Sequence, residues 1–520
     1  MKRRLRKVLI ANRGEIAVRI IRTLRALGIR SVAAHSDADA SSLPARMADE
    51  AVRIGPPPAS ESYLRVDAIV GAALASGADA VHPGYGFLSE RVELARAVEE
   101  AGLAYIGPTP GNVERLGSKL HARTVCREHG LSSVPGSDGP VARGDLSRLA
   151  GAIGLPLLFK AAAGGGGKGI RIVRSAAELE EAYDAAASEA RASFGSSELI
   201  AERYLEKARH VEVQVVGDGR GGVRVFTERD CSTQRRQQKL LEETPSPALS
   251  ASDREKLLDA VARMASCERY RGAGTFELLL SAEGTFHFLE VNTRLQVEHP
   301  ITEAISGVDL VALQVEVAEG KDLVAWAPGK LDRVATLAEG ACAMELRINA
   351  EDPLEDFRPS TGTVTRLHLP AGPGIRVDTA LEPGTAVTPY YDSLLAKVIA
   401  WGPDRGSAIR RLRAALMELD VGGVATTAPL GTALLEDRGF LAGENHIQYL
   451  AERLRDPEFL VRVPEGDELL IAAAAAARLK RGPARAAPAR ERQETSPWVL
   501  VERLRLGDGG RPGGDWGSQP

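Results

Sequence analysis

The chain has 520 residues, room for a large buried core and three or four domains. Its formal net charge of -4 and its 4% aromatic content supply neither a basic surface for a polyanion nor stacking platforms for single-stranded nucleic acid. Cys126, Cys231, Cys267 and Cys342 are scattered without CxxC spacing, which argues against a disulfide framework or a zinc site and suits a reducing compartment.

The basic start, Met1 to Lys7, resembles a signal n-region, but only Val8 to Ala11 follows it as an apolar run. No apolar run approaches membrane-spanning length, so a cytoplasmic enzyme is expected. Val8–Ala11 predicts a short buried strand, Ile16–Leu27 a helix stopped by Gly28, and Ile29–His35 the next strand. Tyr63–Ser76 and Glu90–Ala101 have helical spacing, with strands expected at Ala78–Val81 and Tyr105–Gly107. The alternation implies a doubly wound parallel sheet, and Asn12-Arg13-Gly14-Glu15 lies at the carboxyl end of its first strand, where such sheets bind ligands. That loop lacks a glycine triplet, so a dinucleotide is not expected there. The loop His82–Glu90 has glycines that permit close backbone approach and presents Tyr85; an ordinary turn with a packed aromatic is the alternative.

Val134–Pro140 is rich in Gly, Pro and Ser and reads as a hinge. Leu157–Lys160 predicts a strand, followed by Ala161–Gly169 with Gly164, Gly165, Gly166 and Gly167 in a row. Gly164, Gly166 and Gly169 formally satisfy G-x-G-x-x-G. The next element, Ile170–Val173, alternates as a strand, whereas the Rossmann and Walker readings both need a helix there. What remains is a strand–glycine loop–strand flap whose backbone N–H groups can fold over phosphates, flanked by Lys160 and Lys168. Leu199–Leu205 predicts a strand running into a loop, with Glu202 and main-chain groups placed for an adenine edge. His210–Val215 alternates, setting His210, Glu212 and Gln214 on one face. Glu228–Lys239 is densely polar: a solvated loop if isolated, or a set of cations for an anionic substrate beside a nucleotide site.

The pattern then becomes more specific. Thr275–Leu280 and Thr285–Glu290 flank Ser281–Gly284, a hairpin signal. A two-residue turn at Glu283-Gly284 would place Glu277 opposite Glu290, two carboxylates whose Cβ atoms lie about 5 Å apart and which a hard cation such as Mg²⁺ would reconcile. Glu290, Asn292, Arg294, Gln296 and Glu298 share one parity, so an extended chain would line one face with them over roughly 26 Å. Pro300 follows closely, and Arg294 to Glu298 could equally be loop. Val308–Glu319 has helical spacing, Ala343–Asn349 alternates with Glu345, Arg347 and Asn349 together, and short strands with Gly/Pro turns run on to Trp401. Ser407–Leu419 returns to helix, Ile471–Lys480 is an alanine-rich helix candidate, and 482–497 and 507–520 read as linker or disorder.

Asn12–Glu15, His82–Glu90, the glycine flap, Glu228–Cys231, Gln234–Arg236, Glu290–Arg294 and Gln296–Pro300 stand in an order and spacing that resemble the biotin carboxylase subunits of acetyl-CoA and acyl-CoA carboxylases, members of the ATP-grasp superfamily. The likeness runs from about Lys7 to about Arg455. It implies an ATP-grasp fold of mixed α/β and α+β class, with an N-terminal doubly wound (Rossmann-like) domain (1–115), an ATP-grasp domain (116–335) with a mobile lid (about 135–204), a C-terminal antiparallel β-rich domain (336–455) and an extension (456–520). The implied reaction is ATP-driven carboxylation of biotin on a carrier protein, through carboxyphosphate formed from bicarbonate.

By the same resemblance, Lys119, Lys160, Gly165, Gly166, Gly167, His210 and Gln234 would contact nucleotide, and Glu202 and Leu205 would lie at the adenine. Glu277, Glu290 and Asn292 would hold Mg²⁺ or Mn²⁺, two ions in all. Lys239, Arg294, Gln296 and Val297 would bind bicarbonate, with Glu298 as its general base. Arg347 would stabilise the biotin enolate, and Tyr85 and Gly86 would border the biotin pocket. Gln237 replaces a frequent histidine, Ala163 a flap glycine, Lys168 a frequent arginine and Thr427 an asparagine. Ala26 stands where some members carry a dimer-contacting acid. The methionines, Met1, Met47, Met264, Met344 and Met417, adjoin no lysine beyond the start, so biotin is expected on a separate biotin carboxyl carrier protein, with carboxyltransferase subunits and a homodimer as further partners and no nucleic acid or membrane. The competing functions are another ATP-grasp ligase and a nucleotide-binding subunit without turnover.

Overall fold

At the centre of the N-terminal layer, β1 (Lys7–Ile10) pairs in parallel with both β2 (Arg30–Ser36) and β4 (Ala80–His82). Val8, Leu9 and Ile10 are all buried, because a central parallel strand is covered on both faces and must be apolar throughout. With β3 (Glu50–Gly55) and β5 (Ala104–Tyr105) the sheet has the order β3-β2-β1-β4-β5. The strand β3 escaped the sequence pattern because it is an edge strand that leaves Ala51 and Arg53 exposed and Glu50 and Val52 half-buried. The expected helices occur at Gly14–Ala26, Val66–Ala75 and Val92–Glu100. The order reverses between β1 and β4, so the loops leaving their carboxyl ends face each other at the switch point.

The structure, a computed structural model, describes residues 4–162, 169–325, 327 and 329–460, without the side chains of Lys119, Leu120 and Phe194. The flap positions Ala163, Gly164, Gly165, Gly166, Gly167 and Lys168, the helix expected at 471–480 and the segments 482–497 and 507–520 lie outside the described residues.

The two strands expected beside the flap are β6 (Leu157–Ala161) and β7 (Arg171–Val173), which pair antiparallel, with β8 (Leu199–Arg203) on the other side of β6. The stretch read as a hinge runs hydrogen-bonded along β8: Ser137 N–H donates to the Ala201 carbonyl at 2.8 Å, and Arg203 N–H to the Pro135 carbonyl at 2.7 Å.

The large sheet contains β9 (Arg209–Asp218), β10 (Val223–Val225), β11 (Arg229–Arg235), β12 (Gln238–Thr244), β13 (Arg271–Leu280), β14 (Phe286–Asn292) and β15 (Cys342–Asn349). Its order is β14-β13-β9-β11-β12-β15, then the strands Leu394–Gly402 and Ile375–Thr379, with β10 beside β9. The helix Ala251–Cys267 packs on one face through Leu257, Leu258 and Val261. The polar run Glu228–Lys239 is not a solvated loop. It is the hairpin β11–β12, turning at Arg236 and Gln237, both in the left-handed region with φ of 47° and 66°. Arg229 to Thr233 are buried; a reading by polarity misses this because their charges are neutralised inside. No helix among the described residues is long and apolar enough to cross a membrane.

Candidate active site

The hairpin β13–β14 brings Glu277 directly opposite Glu290, as the sequence predicts, but by another route. The connection is not a two-residue turn at Glu283-Gly284: Ser281 N–H donates to the Thr285 carbonyl at 2.9 Å, closing a three-residue loop. Leu280 to Leu278 therefore pair with Phe286 to Phe288, one residue out of the expected register. A bulge at Leu289 inserts the missing residue and restores Glu277 to Glu290. Asn292 closes the strand, and its Nδ2 donates to Glu277 Oε1 at 2.7 Å.

Lys239, entering from β12, is the cation that this carboxylate cluster needs. Its ammonium donates to Glu212 Oε2 (2.6 Å), Glu277 Oε1 (2.8 Å) and Glu298 Oε1 (2.7 Å). Burial alone would lower the Lys239 pKa, but Glu212, Glu277 and Glu298 hold it well above the ordinary value. Burial would likewise raise Glu277, yet Lys239 and His210 outweigh it and keep the carboxyl below the usual range. His210 lies 3.1 Å from Glu277 Oε2, and its Nδ1 meets Gln234 Nε2 at 2.7 Å. Burial also opposes ionisation of Glu212, which Lys239 and then Arg229 bring down to about 2. Arg229 is fully buried, with Nε on Glu212 (2.6 Å) and Nη1 on Gln214 (3.0 Å) and Thr302 (2.9 Å).

After Asn292 the strand ends, and Arg294 to Glu298 form a loop that leads into the helix His299–Ser306 with Pro300 in its first turn. Of the two readings left open for Arg294 to Glu298, the loop is the one found. Arg294 Nη1 donates to Gln296 Oε1 at 3.0 Å and Nη2 to Asn292 Oδ1 at 3.2 Å, and its Nε lies 3.2 Å from Glu90. Gln296 Nε2 is buried without a hydrogen-bond partner among the described residues, a donor of the kind an oxyanion would satisfy. Glu298 is fully buried between two cations: Lys239 on one oxygen and Arg347 Nη2 at 2.9 Å on the other. Arg347, on β15, also donates through Nε to Glu242 Oε1 at 2.7 Å. Burial pushes the Glu242 carboxyl above its ordinary range despite Arg347.

The other expected residues fall into three places. Lys160 and Glu202 pair across β6 and β8 at 2.7 Å, and Arg123 joins Glu202 at 3.2 Å. The Leu205 carbonyl accepts from Gln448 Nε2 at 3.3 Å. Tyr85 and Gly86 sit at the switch point, where Asn12 Nδ2 holds the Pro83 and Tyr85 carbonyls at 2.8 and 2.7 Å. Gly84 has φ of 65°, and a Cβ there would meet Asn12 Nδ2 at 2.8 Å, so this loop needs its glycine. Thr427, a departure from the pattern, accepts from Asn349 N–H at 2.9 Å and donates to the Arg347 carbonyl at 3.1 Å, fixing the backbone under Arg347. Gly165, Gly166, Gly167 and the Lys119 side chain lie outside the described residues.

The donor set fits a divalent hard cation: Glu277 and Glu290 face each other with Asn292 adjoining, all oxygen ligands. Glu212 extends this set, since one donor atom each from His210, Glu212 and Glu277 lies within 4.8 Å of the others. Glu212 is a residue to which the sequence reading gave no role, although its parity with His210 and Gln214 was the available signal. Arg229, Glu242 and Glu90 were also missed. Their partners lie on other strands and loops, and no spacing along the chain reports them.

Three family models match the chain: "Biotin carboxylase, N-terminal domain" over residues 4–113, "Carbamoyl-phosphate synthase L chain, ATP binding domain" over 118–325, and "Biotin carboxylase C-terminal domain" over 345–452. The chain is 45% identical over 447 residues to a biotin carboxylase of Nostoc sp., covering 86% of this chain and 98% of that protein. It is 46% identical over 453 residues to a biotin carboxylase of Haemophilus influenzae, covering 86% and 99%. Among solved structures it resembles the biotin carboxylase domain dimer of Hydrogenobacter thermophilus 2-oxoglutarate carboxylase, in complex with MgADP, ADP and bicarbonate. That match has a TM-score of 0.84 and 42% identity, covering 89% of this chain and 100% of that one.

Proposed function

The chain belongs to the biotin carboxylase family, and from that premise we propose how its residues divide the ATP-dependent carboxylation of biotin by bicarbonate. The enzyme is a ligase that uses ATP with Mg²⁺. Glu277, Glu290 and Asn292, joined by Glu212, hold the metal, which when bound neutralises phosphate charge, so that catalysis rests on positioning and electrostatics. Lys160, Glu202, Leu205, His210 and Gln234 contact the nucleotide, together with Lys119 and the flap glycines 165–167.

Arg294, Gln296, Val297 and Lys239 bind bicarbonate. Glu298 removes its proton so that its oxygen can attack the γ-phosphate; a base must lie within hydrogen-bond reach of that proton. Arg347 stabilises the negative charge that develops on biotin when its nitrogen is deprotonated, with Tyr85 and Gly86 bordering the ring. The observation that carries this reading is the buried bridge Glu277–Lys239–Glu298–Arg347, which joins the metal carboxylates to the arginine of β15 in one line of direct contacts.

The chain is a carboxylase subunit. We assign its biotin to a separate carrier protein and the onward transfer to carboxyltransferase subunits, with this chain as a homodimer. The acceptor, an acyl-CoA or an oxoacid, is then chosen by the transferase, because these residues handle only ATP, bicarbonate and biotin. The test is ADP release by the purified protein with Mg-ATP, bicarbonate and free biotin, alongside transfer of labelled bicarbonate to biotin. ADP release that ignores bicarbonate, with no label on biotin, would overturn the reading in favour of another ATP-grasp ligase. Affinity capture that brings down neither a biotinylated carrier nor a transferase would overturn the partner assignment.

A further inference from the structure

Behind the loop that carries Glu298 lies a buried charge with no role in the scheme above. Lys397 stands in the strand Leu394–Gly402, whose neighbours Leu395, Ala396, Val398, Ile399 and Ala400 are all buried and apolar, and Lys397 itself is fully buried. Stability alone would favour another aliphatic side chain here, since a buried ammonium must be paired to be tolerated. Its partners come from three separate segments. Glu15, at the start of the helix after β1, lies at 2.9 Å, Asp378 of the adjacent strand at 3.9 Å, and the Val297 carbonyl accepts from Nζ at 2.9 Å. Glu15 in turn accepts from the Tyr85 hydroxyl at the switch point. Burial works against the ammonium form, and Glu15, Glu345 and Asp378 more than restore it.

The bond to Val297 has a directional consequence. In a trans peptide the carbonyl and the following N–H point in opposite directions. A Val297 carbonyl drawn back onto Lys397 therefore turns the Glu298 N–H the opposite way, away from Lys397. The preceding peptide is held in the same manner: His299 Nδ1 lies 2.7 Å from the Gln296 carbonyl, which turns the Val297 N–H. Burial keeps the His299 pKa well below its ordinary value, so the ring is neutral and its Nδ1–H serves as the donor. Two consecutive amides are thus oriented from behind, the arrangement that builds an anion-binding concavity from backbone.

We propose that Lys397 is a positioning residue for bicarbonate: by holding the Val297 carbonyl it presents the backbone N–H groups of the Gln296–Glu298 loop to the anion. The proposal rests on the assignment of this loop to bicarbonate. It predicts an effect on bicarbonate and not on ATP, because Lys397 touches neither the metal carboxylates nor the Lys160–Glu202 pair, whereas its ammonium lies 5.8 Å from the centre of the Tyr85 ring on the biotin side.

The experiment measures bicarbonate-dependent ADP release in wild type, Lys397→Met and Lys397→Arg. Loss of a hydrogen bond from a charged donor predicts a bicarbonate KM raised about tenfold or more in Lys397→Met, with the ATP KM within roughly twofold of wild type. Lys397→Arg, which can still donate to the carbonyl and pair with Glu15, recovers most of the loss. A purely structural role would move both KM values together or lower the melting temperature alone. Either of those results, or an unchanged bicarbonate KM in folded Lys397→Met, overturns the proposal. Should Lys397→Met fail to fold, Glu15→Gln keeps the shape while loosening the ammonium, and a selective rise of about threefold in bicarbonate KM is expected from one weakened charged hydrogen bond; no rise overturns the proposal. Wild type without bicarbonate-dependent turnover sinks the functional reading itself, whereas active wild type with unaltered variants sinks only the role of Lys397.

Discussion

Replacing Glu298 by glutamine removes one negative charge and almost no volume from a fully buried position between Lys239 and Arg347. Both cations keep another anionic partner, since Lys239 still meets Glu212 and Glu277, and Arg347 still meets Glu242. The variant should therefore fold, losing less than the ~3–5 kcal/mol typical of stripping a buried charge of its only partner. The amide cannot take a proton from bicarbonate. A positioned base contributes about 10²–10⁴-fold, which corresponds to about 3–5 kcal/mol on the barrier, so kcat for ADP release with bicarbonate should fall by that factor. ATP affinity should change little, because Glu298 bonds Lys239 and Arg347, whereas His210 pairs with Gln234 and Glu277. The assay is steady-state ADP release with and without bicarbonate, paired with nucleotide binding by calorimetry. Turnover within roughly tenfold of wild type, in a variant that binds ATP normally, would refute the role of Glu298 as base.

Arg347→Ala should bind ATP normally yet lose transfer of label from bicarbonate to biotin by at least about a hundredfold, the scale of removing a donor to a developing anion; label transfer at the wild-type rate would rule out its assignment. Glu277→Gln should raise the Mg²⁺ concentration needed for half-maximal turnover about tenfold or more at fixed ATP, since removing one partner of a charged contact is worth about 1.5–3 kcal/mol; a metal titration that superimposes on wild type would remove Glu277 from the site. Arg229→Met should lower stability by about 3–5 kcal/mol in urea unfolding, because it leaves Glu212 buried against Lys239 alone. For pH dependence, Glu212 is held down to about 2 against an ordinary 4.5, chiefly by Lys239 and Arg229 working against burial. A depressed carboxylate gives stability that is complete above its unfolded value and is lost as pH falls towards the folded one, here a span worth about 3 kcal/mol. Glu212→Gln should flatten the loss of stability on acidification below about pH 4.5, and parallel wild-type and variant curves would contradict that.

The sequence was most informative where chemistry repeats locally. Parity along β14 and the hairpin signal at Ser281–Gly284 were enough to set Glu277 against Glu290. The expected two-residue turn was one residue too short, and the bulge at Leu289 cancelled the error. A bulge answers to tertiary packing, here of Phe276 and Phe288 in one core cluster, so no local pattern announces it. Glycine marked the Tyr85 loop, and Pro300 signalled that Arg294 to Glu298 could be loop, because those residues act through their own backbone dihedrals.

The apolar run of β1 and the side-chain alternation of the 210–215 and 343–349 stretches were legible from residue type alone, as burial on one or both faces requires. The tertiary structure decided which charges meet. Lys239 reaches Glu212, Glu277 and Glu298 from a different strand, Arg347 reaches Glu298 from beyond residue 340, and Lys397 reaches back to Val297 and Glu15 across the whole unit. A buried ion pair depends on distance in space and on the loss of water around it. Spacing along a chain encodes neither, and so the polar run Glu228–Lys239 could read as a solvated loop while folding into the buried centre of the site.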